Sequence, residues 1–217
     1  MKIVKYFLII LIPLVIILGN FQYLIFNLKF YKNLYNQAGV YQSFPGGVVD
    51  DATYNLLGYF RGKNKLDHNF FSNQAILHLK DVKEIINFTS SLFYLSAVAV
   101  LALSIILIAR KQSKALTSAL IVSSVITMIF IILLSIPLFS TFSSNGRPAF
   151  GWDFLFTKFH QALFNNDLWL FSPDDNLIRL FPSEFFVLFA NQLAMNILVT
   201  SGVIIISSFL LKKKFSI

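Results

Sequence analysis

Apolar positions gather in four long runs, about residues 3–26, 88–109, 115–139 and 185–211. Each run is near or above the roughly 20 residues that carry an α-helix across a hydrocarbon core. None has the two-residue alternation of a barrel strand. A helix also satisfies every backbone amide within its own segment, as lipid demands. The pattern therefore predicts four transmembrane helices. The first run begins Met1-Lys2-Ile3-Val4-Lys5, a basic start shared with signal peptides. Gly19-Asn20-Phe21-Gln22-Tyr23 follows it with no small-x-small cleavage site, so it reads as a retained helix.

Between the runs lie two more polar segments, about 27–87 and 140–184. In the first, Phe30, Tyr31, Tyr35 and Tyr41 read as aromatics at headgroup depth. Phe44-Pro45-Gly46-Gly47 is a turn signal. Residues 54–60 predict a short helix ending near Gly62, and 61–69 a loop. Ser72 is placed to cap a helix over 73–87 that runs straight into the second span. In the second segment Phe154, Phe156, Phe159, Leu163 and Phe164 recur at helical spacing and predict an amphipathic interfacial helix, ended by residues 165–169. Residues 173–176 read as a turn. Pro182 and Ser183 suit the start of the fourth span.

Composition agrees with lipid as the solvent. Hydrophobic residues make up 56% of the 217 positions, charged residues 13%, and mean hydropathy is +0.70. A soluble domain carries about a quarter charged residues. Charge sets the orientation. With the N-terminus in the cytoplasm, the inner segments hold Lys2, Lys5, Arg110, Lys111, Lys114, Lys212, Lys213 and Lys214 and no acid. All 10 acidic residues and the remaining basic ones fall outside and cancel, so the net +8 lies on one side, as the positive-inside rule requires. The basic charge thus reports topology and predicts no nucleic-acid partner. The absence of Cys excludes disulfides, a thiolate nucleophile, a Cys zinc site and a Cys-linked lipid anchor. The fold class read from this is a membrane all-α core with four transmembrane helices, N-in/C-in, and an extracytoplasmic cap open to short helices and strands. The whole chain, 1–217, is expected to form a single integral membrane domain.

All three histidines lie in the outer segments. His78 and Asp81 are three apart and share a helix face; the pair is either a catalytic base with a tuned pKa or a surface ion pair at a helix mouth. His160 sits within the aromatic stripe, which taken alone reads as membrane anchoring. His68 lies in a charged loop and reads as solvated. A zinc site from His78, His160 and a carboxylate lacks any H-x-x-x-H or H-E-x-x-H spacing. No phosphate-binding Gly loop and no G-x-S-x-G elbow occurs. Asn191, Gln192 and Asn196 are unusual polar residues in the fourth run; Asn191 and Gln192, near its outer end, could line a headgroup cavity or bond to neighbouring helices, the latter preferred. On these residues alone the leading readings are a non-catalytic membrane scaffold or accessory subunit, and a metal-dependent membrane hydrolase or sensor.

Two motifs add to this. His78-Leu79-Lys80-Asp81-Val82-Lys83 precedes a span. Phe159-His160-Gln161-Ala162-Leu163-Phe164-Asn165-Asn166-Asp167-Leu168-Trp169 is followed by Asp175, Leu177-Ile178 and Phe181-Pro182-Ser183-Glu184-Phe185-Phe186. With four spans and two outer segments, this resembles the bacterial lipoprotein intramolecular transacylase family over nearly the whole chain. The resemblance implies an acyltransferase at the outer face of the cell (cytoplasmic) membrane of Gram-positive bacteria. Such an enzyme moves the sn-2 acyl chain of a diacylated lipoprotein from the S-linked glyceryl group to the α-amino group of its N-terminal Cys. The product is a lyso-form lipoprotein. The resemblance also implies His78 and His160 as the catalytic residues. A carboxylate that the family often carries three residues before the first His is Ala75 here, so no role for that acid carries over.

The chemistry suits the residue types. Ester-to-amine transfer needs a base for the amine, an acid for the leaving alkoxide and stabilisation of the oxyanion; two imidazoles supply the first two near neutral pH. Amine and ester belong to one substrate, so effective molarity replaces a covalent nucleophile. Asp81 is expected to orient His78. Asn166, Asp167, Trp169 and Tyr54 are expected to shape the site, with Lys83 near developing negative charge or at the membrane interface. The aromatic segment 156–169 would cradle acyl chains. The expected partners are the diacylated lipoprotein and membrane lipids, with no cofactor and no metal.

Overall fold

The computed structural model describes residues 2–139 and 152–214. Residues 140–151 of the second polar segment lie outside the described residues. In chain order the helices are α1 (Lys2–Ile25), α2 (Leu28–Gln37), α3 (Val48–Phe60), α4 (Asn73–Ala109), α5 (Ser113–Phe139), α6 (Trp152–Leu163), α7 (Asn176–Leu180) and α8 (Ser183–Lys214), with a 3-10 turn over Val40–Ser43. Among the described residues every regular element is helical, so the strands allowed for the cap do not form there. Helices α1, α4, α5 and α8 are long and apolar enough to cross a membrane, and they coincide with the four apolar runs. Helix α1 runs unbroken through Pro13, Gly19 and Asn20.

The chain divides into two compact units, Met1–Tyr23, Phe88–Ser135 and Gln192–Ile217 in one, Leu24–Asn87 and Ile136–Asn191 in the other. The first unit buries a thin apolar seam of Leu8, Ile12, Ile16, Leu107, Ala119, Ile131 and Ile197. Leu8, Ile12 and Ile16 recur every four positions on one face of α1. Its outer faces carry Leu101, Leu133, Val203 and Phe209, all more than half exposed. In water such a surface would aggregate; in lipid it is the face that matches its solvent. Small hydroxyl residues are buried in this unit as well. Ser123, Ser124 and Thr127 are fully buried, which lets backbones approach closely. Asn20 Nδ2 donates to Ile16 O at 2.8 Å and to Thr200 Oγ1 at 3.3 Å, joining α1 to α8. A Cβ on Gly19 would lie 3.0 Å from the Phe93 ring. Gln192 Nε2 donates to Asn196 Oδ1 at 2.8 Å; this bond lies within α8, one turn apart, where a bond to another helix was expected.

Helix α4 closes on Lys111, which takes the left-handed conformation (φ 56°) usually left to glycine. Gln112 N donates to Leu107 O at 2.8 Å and Lys111 N to Ile108 O at 2.9 Å. These two bonds satisfy the last carbonyls and allow α5 to start within a few residues.

The second unit is built on aromatics. Tyr31, Leu34 and Tyr35 form the buried face of α2, and Tyr35 is 0% exposed. The i, i+3, i+4 spacing of Tyr31, Leu34 and Tyr35 makes them part of the core of this unit. Their rings meet those of Phe181 and Phe185 at centroid distances from 5.3 to 6.3 Å. Asp50 ties α2 to α3, accepting from Lys32 Nζ at 2.6 Å and from Tyr41 Oη at 2.8 Å. The Lys32 ammonium, followed by Tyr41, holds the Asp50 carboxyl below its usual range despite some desolvation.

Candidate active site

Helix α4 begins behind Ser72, whose Oγ accepts from Ala75 N at 3.1 Å, the N-cap that satisfies a free donor. Its 37 residues measure about 55 Å at 1.5 Å per residue, against about 30 Å of hydrocarbon. The turns before the apolar run at residue 88 are therefore surplus to a span. His78 lies on them, only 7% exposed. His160 lies near the end of α6, 8% exposed. The two imidazoles, from elements far apart in the chain, face each other with centroids 6.1 Å apart and planes 30° apart. No hydrogen bond joins them.

The setting is apolar and aromatic. Phe164 and Phe171 lie 4.9 and 5.6 Å from the His78 ring. Phe156 lies 4.0 Å and Trp169 5.0 Å from the His160 ring, the indole stacked at 29°. His160 Nδ1 lies 2.8 Å from Phe156 O. A carbonyl only accepts, so Nδ1 carries the proton and Nε2 keeps its lone pair. His78 Nδ1 is buried with no hydrogen-bond partner among the described residues. Burial pushes His78 down from 6.5 to about 4, assisted by the neighbouring His160 and partly opposed by Asp81. Burial likewise lowers His160, against the opposing effect of the Phe156 carbonyl. Both rings are therefore neutral at neutral pH.

A strap that follows α6 brings the pair together. Gln74 Nε2 donates to Leu168 O at 3.1 Å and to Leu170 O at 2.9 Å. Asn166 Nδ2 donates to Asp81 Oδ2 at 2.9 Å. Ser72 Oγ donates to Asp175 Oδ2 at 2.7 Å, and Asn176 Nδ2 to Phe70 O at 2.9 Å. Five side-chain hydrogen bonds thus tie the residues after α6 to the first turns of α4 and the residues just before it.

Of the residues expected at the site, His78, His160, Asp81, Asn166 and Trp169 come together. Asp81 does so differently from expectation. It shares the face of His78, but its hydrogen bond goes to Asn166, so it reaches His78 through charge and not as an orienting acceptor. Asp167 is exposed on the strap. Lys83 sits over the Tyr59 ring at 4.1 Å. Tyr54 is 73% exposed on α3. His68 is exposed, as expected, and lines a polar cavity of about 300 Å³ with Asp174 and Asp175. Among the described residues no group of three or more His, Cys, Asp or Glu is arranged to hold a metal. Residue-level reasoning overlooked Gln74, whose one signal is its position a turn before His78. It also overlooked Phe171, which carries no motif.

A family model described as lipoprotein intramolecular transacylase Lit matches residues 6–186. No curated protein matches the sequence significantly. Among solved structures, the membrane integral lipoprotein intramolecular transacylase Lit from Bacillus cereus matches with a TM-score of 0.83 at 23% identity, over 98% of this chain and 96% of that chain. The same Bacillus cereus protein carrying a histidine-to-arginine substitution gives 0.77, and one carrying a histidine-to-alanine substitution 0.75. Each is 22% identical over 98% of this chain, and 92% and 94% of theirs are covered. At these identities the likeness is one of fold.

Proposed function

From the premise that this chain belongs to the lipoprotein intramolecular transacylase family, we propose that His78 and His160 are the proton-transfer pair of its intramolecular acyl transfer. The substrate is a diacylated lipoprotein. The α-amine of its N-terminal Cys attacks the carbonyl of the sn-2 ester on the S-linked glyceryl group. The C–N bond of the new amide forms and the C–O bond of the ester breaks. One proton leaves nitrogen and one arrives at the glyceryl oxygen, so the imidazole pair ends as it began. The product is the lyso-form lipoprotein. No covalent acyl-enzyme is needed, because both reacting groups belong to one molecule and the site has only to hold them together.

The observation that carries this reading is the meeting of two buried imidazoles at 6.1 Å. A neutral ring accepts a proton at neutral pH, and lowered pKa values keep both rings in that form. The Nδ1–H bond of His160 to Phe156 O leaves Nε2 as the acceptor, so His160 takes the proton from the amine. The leaving oxygen is protonated from the pair. The aromatic rings about the pair exclude water and so favour the amine over hydrolysis.

The orientation is N-in/C-in, with the chain 1–217 working as one integral membrane domain of the cell membrane and the site on the extracytoplasmic side. The eight basic residues in the inner segments, against no acid there, support it. Purified wild-type protein is expected to convert a diacylated lipopeptide to the lyso form, read by mass spectrometry. His78→Ala and His160→Ala are each expected to lose conversion by roughly 10²–10⁴-fold. Wild-type-like conversion by both variants removes the assignment.

A further inference from the structure

Gln74 has no part in the proton transfer above, yet its amide is spent on the site. Nε2 bonds to Leu168 O and Leu170 O, the two carbonyls that flank Trp169. The Trp169 indole, 8% exposed, is stacked on His160. Gln74 is also one helical turn from His78, so both project from one face of α4. On the far side of His78, Asp81 receives Asn166 of the same strap. The strap is thus fastened before and after His78, and the indole between the fastenings bears on the second imidazole.

We propose that Gln74 is a positioning residue that sets the imidazole of His160 against His78 by holding Trp169 in its stack. This rests on the proton-transfer reading above and adds to it a residue that acts through another. Two donors on one nitrogen are what two carbonyls require. Glutamate at the same length offers none, and methionine fills the space without bonding. Without the amide, the Leu168–Trp169–Leu170 backbone loses its anchor to α4. His160 then keeps its bond to Phe156 O but loses the surface that fixes its ring plane. Displacement of a catalytic group by about 1 Å costs roughly 100-fold.

The test uses the full-length protein with Trp152→Phe as background, which leaves Trp169 as the sole indole. Gln74→Met and Gln74→Glu are each expected to lower kcat on the diacylated lipopeptide by roughly 10- to 100-fold with KM near the background value. Trp169→Leu is expected to do the same. Combined with Gln74→Met, it should cost no more than the worse single change, since both act through one contact. Trp169 emission should fall as His160 protonates in the background protein, because a stacked imidazolium quenches indole. That response should vanish in Gln74→Met. Background-like kcat in Gln74→Met, additive losses in the double variant, or an unchanged emission response each overturns the proposal. His160→Ala separates the two levels. If it turns over like the background, the proton-transfer reading itself fails. If it is inactive while Gln74→Met is not impaired, only the positioning role falls.

Discussion

Replacing His78 with glutamine removes a group whose protonation opposes folding. The imidazole is pushed from 6.5 to about 4, first by burial and then by His160. At 1.36 kcal/mol per unit this interval is worth about 3 kcal/mol. Because the folded value is lowered, the unfolded chain binds more protons between the two values, so stability rises with pH across that window. The contribution is complete above about pH 6.5 and is lost as the pH falls toward 4. The assay is unfolding in detergent micelles, followed by amide exchange in residues 73–87 and 152–171, at pH 7, 5.5 and 4. Relative to His78→Gln, the wild-type protein is expected to lose about 3 kcal/mol between pH 7 and 4. His160 is present in both proteins and lends both some acid sensitivity, so the difference isolates His78. Parallel pH dependence of the two proteins would refute the argument that the His78 ring is held neutral by its surroundings.

Three further outcomes follow from local geometry. Lys111→Gly relieves a left-handed residue at the end of α4 and is expected to raise stability by about 1 kcal/mol in a thermal-unfolding measurement. Gly19→Val puts a side chain against the Phe93 ring, where even a Cβ sits at 3.0 Å, and is expected to cost about 1–3 kcal/mol by the same measurement. Asp50→Ala removes the bonds from Lys32 and Tyr41; the pair is partly exposed, with side chains at 44% and 38%, so the cost is about 1 kcal/mol or less. That cost should shrink in high salt.

The membrane helices were legible because each is a long apolar run without a competing period. The continuation of α4 upstream of residue 88 was legible as well, since nothing from 73 to 87 breaks a helix and Ser72 caps it. The amphipathic pattern of α6 was also plain. Helix α2 was hidden by chemistry that reads two ways: Tyr31 and Tyr35 suit a headgroup layer and a core alike, and their burial shows only in their packing on Phe181 and Phe185. The short α7 went unread, because five residues carry no period; the turn read over 173–176 leads into it. The candidate site was legible in part. His78 and Asp81 were correctly given one face, yet the hydrogen bond of that carboxylate goes to Asn166, a partner 85 positions away that no local spacing announces. The meeting of the imidazoles could be expected only through a family resemblance. Gln74 illustrates the limit best: its role is defined by carbonyls 94 and 96 positions distant.

The unbroken course of α4 makes it a ruler. His78 stands about 15 Å along the helix axis from Phe88, where the apolar run begins, at 1.5 Å per residue. Each residue added to or removed from that interval shifts the imidazole by about 1.5 Å and swings it by about 100°. Its elevation and its bearing therefore cannot be altered independently. Only insertions of whole turns would lift the ring and leave it aimed as before, so the length of this interval is itself under chemical constraint.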